Sequence, residues 1–246
     1  MFTIRSPIQR QHLSNGKVCL VNQLFGENKN SLFYGPLGHS GADLRTVGIW
    51  EFKPYNQKFV NGKWEGNWIQ QKRDVHEQQG RIPLVACHDG TIRLILQENK
   101  QKSGWGLYVE SEPMQEEGKT VQYRTLYWHI ESPWRTLKPF LGYVMTKVID
   151  FTVKRGQPLA IAGNNGKSTG PHVHLELQRR KKIGDSWGAW VLLDPMKHFD
   201  DEDIVYSDID DKGHERFFYK GAEIDRARRD EIINSLPQVI FEKPII

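Results

Sequence analysis

Gly163-Asn164-Asn165-Gly166-Lys167-Ser168-Thr169-Gly170-Pro171-His172-Val173-His174-Leu175-Glu176-Leu177-Gln178 decides how this chain reads. The first nine residues are loop formers, three of them Gly and one Pro. From His172 onward apolar and polar residues alternate. Val173, Leu175 and Leu177 fall on one face, and His172, His174 and Glu176 fall on the other, which is the period of a β-strand. One face is built for a core. The opposite face carries two imidazoles about two residues' rise apart, so one can bind a metal ion while its neighbour faces whatever lies beside it.

Two other histidine motifs precede this strand. His39-Ser40-Gly41-Ala42-Asp43 follows the irregular stretch Tyr34-Gly35-Pro36-Leu37-Gly38, whose Pro and Gly residues argue against a helix and for a loop running into a strand. Leu126-Tyr127-Trp128-His129 lies between the two. A catalytic zinc site needs three protein ligands and one open position. His39, Asp43 and His174 match that requirement, and His129 and His172 are the spare imidazoles. Two imidazoles and one carboxylate leave Zn2+ with a net positive charge. Such an ion lowers the pKa of water from about 15.7 to about 7 and polarises a peptide carbonyl. An imidazole, with an intrinsic pKa near 6.5, is suited to moving the protons. These residues point to a zinc hydrolase. His12, His76, His88, His198 and His214 fall outside the motifs and are expected to be ordinary structural or surface residues.

Outward from the motifs the chain reads as mainly β. A strand is predicted at Lys17 to Val21. Residues 46–80 are polar and aromatic, with Asn61-Gly62 as a turn signal, and read as an inserted hairpin or excursion. Asp89-Gly90 between Ile82–Cys87 and Thr91–Leu96 predicts a hairpin. Further strands are expected at Gly106–Glu110, Val121–Ile130 and Pro158–Gly163. Residues 111–120 read as a loop whose Glu112, Glu116 and Glu117 are solvated. Past Pro195 an acidic run appears (Asp200, Asp201, Glu202, Asp203), and Glu223 to Ser235 looks helical. The expected organisation is an N-terminal extension (1–30) packing on the core, a central domain (31–197) with an insertion at about 46–80, and a C-terminal accessory segment (198–246).

The 246 residues carry a net charge of +4, with eight Trp, eight Tyr and eleven Phe to supply a core. Mild basicity suits anionic polymers, cell wall included; nucleic acid has only that basicity and the Arg179-Arg180-Lys181-Lys182 run in its favour and is not expected as a partner, the run being read as a strand-end cap or a contact with anionic cell wall. Two cysteines, Cys19 and Cys87, do not make a disulfide framework, and Cys87 is expected to be buried. The N-terminus shows no signal-peptide core, and no stretch approaches the roughly 20 apolar residues of a membrane span.

The motifs resemble those of the lysostaphin-type (LytM-type) zinc metallopeptidases, which cleave peptide bonds in bacterial peptidoglycan. The likeness runs from Phe33 to Pro195. Gly38 to Leu44 resembles the family's first-ligand motif, Pro83 to Ile92 its central hairpin, and Leu126 to Ile130 its Tyr-Ala-His-Leu segment. Val153 to Gln157 and Gly163 to Glu176 resemble its long signature. The resemblance implies an antiparallel β-sheet groove with the metal on its floor and four loops as walls. It implies zinc on His39, Asp43 and His174, with His129 and His172 as general base and transition-state hydrogen-bond partners. Tyr34, just ahead of the first ligand, is a candidate for groove lining or oxyanion contact, with packing in the core as the alternative. The chain departs from the family in the insertion at 46–80, the enlarged loop at 111–120 and the tail after about 196.

The leading expectation is therefore an endopeptidase acting on cross-bridges or stem peptides at the cell wall, outside the cytoplasm. Without a visible signal peptide, it would be virion-associated, as in a phage, or otherwise co-delivered. The alternative is a non-catalytic zinc-bound scaffold in a phage tail or envelope complex, with the extra segments docking other virion or envelope proteins. A D-Ala-D-Ala-type carboxypeptidase fits less well, because its first two ligands are spaced more widely than the four residues between His39 and Asp43.

Overall fold

The structure is a computed structural model that describes residues 1–10, 13, 17–30, 36–45, 58–60, 63–65, 82–95, 104–130, 151–164, 166, 172–210 and 213–237. The chain is mainly β. In chain order the strands are β1 (Val18–Gln23), β2 (Ala42–Arg45), β3 (Lys58–Val60), β4 (Lys63–Glu65), β5 (Pro83–Val85), β6 (Gly90–Ile95), β7 (Trp105–Glu110), β8 (Met114–Glu116) and β9 (Lys119–Ile130). They continue with β10 (Phe151–Val153), β11 (Pro158–Ile161), β12 (His172–Ile183), β13 (Ser186–Trp187), β14 (Val191–Leu193), β15 (Val205–Ile209), β16 (Glu215–Tyr219) and β17 (Ala222–Ile224). Among the described residues there is a short 3-10 turn at Pro195–His198 and one α-helix, α1 (Arg226–Ser235), with Asp225 capping its first turn through the Arg228 N–H (2.7 Å).

The large sheet runs β10-β6-β7-β9-β12-β2-β1-β15-β16-β17. Every pairing along it is antiparallel except β1 with β15. Its centre is the long ladder between β9 and β12, in register from His174–Trp128 to Lys181–Val121. Cross-strand partners share a face, and one face carries Leu44, Leu107, Val109, Tyr127, Val173, Leu175 and Leu177, all fully buried. The β5–β11 ladder, Ile4 and Ile8 of the N-terminal segment, and Met196 and Phe199 join the same core.

Three expectations change. The strands flanking Asp89-Gly90 do not pair with each other: β5 pairs with β11, while β6 joins β7 and β10. The connection between them is spoken for by the 154–157 turn. Ala86 donates to the Gln157 carbonyl and accepts from Gly156 (both 2.8 Å), and the Asp89 carboxylate accepts from Arg155 N (2.7 Å) and Lys154 Nζ (3.0 Å). Residues 111–120 are not a loop. They hold the β8–β9 hairpin, turned at Glu117 and Gly118 with φ of 50° and 71°, the pair of positive values that a tight primed turn requires. Glu116 is not merely solvated: it pairs with Arg179 (3.0 Å) and accepts from the Tyr123 hydroxyl (2.9 Å).

The segment after 196 is tied into the sheet. β15 lies parallel to β1, and Val18, Val205, Phe217 and Ile232 form a second apolar cluster. Within the acidic run, Asp201 is buried and accepts from Ser6 N (2.7 Å) and the Tyr206 hydroxyl (2.8 Å). The N-terminal residues lie across this junction: Ile4 donates to the His198 carbonyl (2.9 Å) and accepts from Asp200 (3.0 Å). Cys19 and Cys87 are buried and unpaired with each other. Within 46–80, the described residues are β3 and β4, an antiparallel hairpin. Among the described residues no helix is long and apolar enough to cross a membrane.

His88 is buried on the core side of the sheet. Its Nδ1 donates to the Asp89 carbonyl (2.7 Å), and its Nε2 lies 3.1 Å from Thr125 Oγ1. Burial pushes its pKa down to about 4 against the ordinary 6.5. The neutral ring's contribution is therefore fully present above about pH 6.5 and is lost as pH falls toward 4, where the unfolded chain binds the proton first. The full difference is roughly 3 kcal/mol at 1.36 kcal/mol per pKa unit. Chemical denaturation of the wild type and His88→Gln between pH 7 and 4 checks this. The wild type is expected to lose more stability over that range, and parallel curves would refute the assignment.

Candidate metal centre

The face opposite the core carries the candidate site, and strand register assembles it. β2 and β12 pair so that Asp43 stands directly across from His174, which brings the two side chains to one spot on one face. His39 precedes β2 in the loop, four residues ahead of Asp43. Asp43 Oδ1 lies 2.8 Å from His174 Nδ1 and 3.2 Å from His39 Nε2. Among the described residues, His39, Asp43 and His174 form a group whose ligand atoms all lie within 4.8 Å of one another.

The donor set fits a dication. His39 Nδ1 donates to the Leu24 carbonyl (3.2 Å), so the neutral ring presents a bare Nε2 to Asp43. His174 Nε2 donates toward Glu176 Oε1 (3.3 Å) and lies 3.2 Å from Ser40 Oγ, which leaves Nδ1 bare toward Asp43 Oδ1. Two lone pairs and a carboxylate oxygen pointing at one another need a cation between them. The edge of a tetrahedron with zinc–nitrogen bonds of about 2.05 Å is roughly 3.3 Å, close to the observed separations. Without a metal, protons fill the role. Burial opposes ionisation of Asp43, yet the hydrogen bonds to His174 and His39 and the nearby His172 hold its carboxyl well below the usual carboxylate range. Burial likewise opposes the charge on His174, but Asp43 and Glu176 prevail and push it up to about 9.

His129 reaches this face through a bulge. Alternation along β9 puts Tyr123, Thr125 and Tyr127 on the core side, so His129 would follow them. Instead the β7–β9 register steps from Gly106–Trp128 to Trp105–Ile130, leaving His129 without an opposite residue. Its φ is 62°, a left-handed conformation that costs a non-glycine residue about 1–2 kcal/mol. The extra residue inverts the alternation. Ile130 returns to the core, and the His129 ring stands 4.7 Å from that of His172 and 6.2 Å from that of His174, centroid to centroid. His172 Nε2 is 3.6 Å from Asp43 Oδ2. Trp128 forms floor beside them, its ring over Gly106. A Cβ on residue 106 would come within 2.4 Å of the indole.

Comparisons with known proteins bear on the chemistry. No family model matches the chain. An uncharacterized metalloprotease of Haemophilus influenzae is 34% identical over 103 residues, which are 42% of this chain and 17% of that protein. The chain is similar to a metalloprotease. It spans about a sixth of that relative's length. Among solved structures, a zinc-containing peptidase from Vibrio cholerae is 20% identical, with 71% of this chain and 37% of that chain covered and a TM-score of 0.39. The catalytic domain of lysostaphin from Staphylococcus simulans is 19% identical, with 72% and 88% covered and a TM-score of 0.37.

The five motif residues His39, Asp43, His129, His172 and His174 thus gather on one face. Tyr34 lies outside the described residues, as do His12 and His76. His88 is in the core, His198 donates through Nδ1 to the Phe2 carbonyl (2.7 Å), and His214 lies near Asp210 at the surface. Three supporting groups were not singled out by sequence: the Leu24 carbonyl, Ser40 and Glu176. Glu176 carried a signal, an acid two residues beyond His174 on the same strand face. Ser40 Oγ donates to Glu176 Oε1 (2.9 Å), and Gln178 Nε2 donates to its other oxygen (2.8 Å). These outer contacts fix which ring nitrogen is bare.

Gly41 is required by close approach. A Cβ there would lie 2.2 Å from the Leu175 carbonyl oxygen and 3.1 Å from His174 Nε2. The first atom is backbone and cannot move without parting β2 from β12. Gly41→Ala is expected to lower the melting temperature by several degrees and zinc affinity at least roughly tenfold, on the scale of displacing an outer-shell partner. Calorimetry and chelator competition check this, and a variant matching wild type in both would refute it.

Proposed function

We propose that the protein is a zinc-dependent endopeptidase that hydrolyses peptide bonds in bacterial peptidoglycan, in cross-bridge or stem peptides, and so acts at the cell wall. The observation that carries this reading is the His39–Asp43–His174 donor triangle with two further imidazoles, His129 and His172, on the same face. The likeness of the motifs to those of lysostaphin-type enzymes supports the substrate class. His39, Asp43 and His174 would hold zinc, which when bound supplies a polarising charge for a peptide carbonyl and for water. His129 and His172 accept a proton from the attacking water and return one to the leaving amine, work an imidazole does efficiently near neutral pH. The αL bulge at His129 holds its ring on the face where the proton is moved, and His172 Nε2 stands 3.6 Å from Asp43 Oδ2 on the same face. Glu176 and the Leu24 carbonyl orient the two ligand rings and take no part in the proton transfers.

Release of new amino groups from purified sacculi by the zinc-loaded protein tests the proposal. Cleavage should stop when a chelator removes the metal and return when zinc is restored. Bound zinc without cleavage of several wall chemotypes would overturn it.

A further inference from the structure

The turn at residues 24–27 and the C-terminal strands lie outside the proposed chemistry, yet hydrogen bonds join both to the first ligand. Gly26 N donates to the His39 carbonyl and His39 N donates to the Glu27 carbonyl, each at 2.8 Å. The Leu24 carbonyl takes the proton of His39 Nδ1. The ligand is thus held by its backbone on both sides and by its ring, all from one turn. Glu27 closes that turn, its Oε2 accepting from Leu24 N (2.9 Å). Its other carboxylate oxygen accepts from Arg216 Nη2 (2.5 Å), 189 residues away on β16. The same guanidinium pairs with Asp208 on β15, which is buried.

We propose that Arg216 is a positioning residue for the first metal ligand: anchored on Asp208, it holds Glu27, and through Glu27 it sets the turn that orients His39. A guanidinium suits this task because its planar fork of donors serves two carboxylates from separate parts of the chain at once. The link makes the C-terminal strands part of the support of the site, since a ligand must be held within about 0.5 Å to bind productively. The zinc arm of the test rests on the reading under Proposed function, whereas the orientation of His39 does not.

The full-length protein is compared with Glu27→Gln, Arg216→Ala and Arg216→Lys by two measurements. The first is the His39 ring tautomer in the metal-free protein, from long-range proton–nitrogen correlation. The second is the zinc dissociation constant, from chelator competition. In the wild type His39 is expected to keep a proton on Nδ1, fixed against the Leu24 carbonyl, whether or not Nε2 also carries one. Glu27→Gln and Arg216→Ala are expected to mix the tautomers and weaken zinc binding roughly tenfold, the low end for outer-shell partners, and Arg216→Lys to restore part of both. Glu27→Gln leaves the Arg216–Asp208 pair intact and carries the test if Arg216→Ala does not fold. Unchanged tautomer and zinc affinity in folded variants would overturn the proposal, even if melting temperature falls, because Arg216 would then only brace the fold. If the wild type binds no zinc, the metal reading fails while the tautomers still decide the role of Arg216.

Discussion

Alanine at His174 is expected to empty the site of zinc and to reduce hydrolysis to background. His174 stands at the centre of the site: its Nδ1 shares Asp43 Oδ1 with His39 Nε2, and its Nε2 is oriented by Glu176. Structural zinc sites bind with about 10–16 kcal/mol over four ligands, so one ligand is worth on the order of 3 kcal/mol, or a hundredfold or more in affinity. The loss should exceed this, because without its imidazole partner Asp43 is left against fewer cationic neighbours in a largely buried position. Zinc per protein and amino-group release, measured on the same samples beside circular dichroism, decide the matter. Full zinc content with retained cleavage in His174→Ala would remove His174 from the ligand set.

The second large effect is expected at His129, with the opposite signature. His129→Asn should keep zinc at wild-type stoichiometry while kcat falls by about 10²–10⁴, the usual worth of a positioned acid–base group. Asparagine is the informative substitute because it tolerates the left-handed backbone, so the bulge at φ 62° survives and only the imidazole is lost. The pH–rate profile should lose one limb. Zinc loss in parallel with activity would instead make His129 part of the metal support, and unchanged kcat would make it a structural residue of the bulge.

Much of the architecture is legible because β alternation is local. Val173, Leu175 and Leu177 face the core and His172, His174 and Glu176 face away, as their spacing alone predicts. Local signals misled where two segments competed for one partner. Asp89-Gly90 has the composition of a hairpin turn, but its carboxylate is drawn to the Lys154–Arg155 turn and β5 finds β11. Residues 111–120 lack apolar alternation, yet Glu117 and Gly118 supply the turn geometry on which β8 and β9 close.

The sequence by itself determined the residue types of the candidate site, its strand, and the two faces of that strand, because imidazoles, carboxylates and a period of two are properties of neighbours in the chain. Only the tertiary structure decided which of those residues stand together. Register across β2 and β12 places Asp43 against His174. A one-residue bulge carries His129 from the core side to the ligand side, which period-two alternation excludes. Leu24 and Glu176 set which ring nitrogens are bare, and Arg216 reaches Glu27 across 189 residues. Such contacts follow from the hydrogen-bonding pattern of the whole sheet, which assigns partners at long range, and no local spacing encodes them.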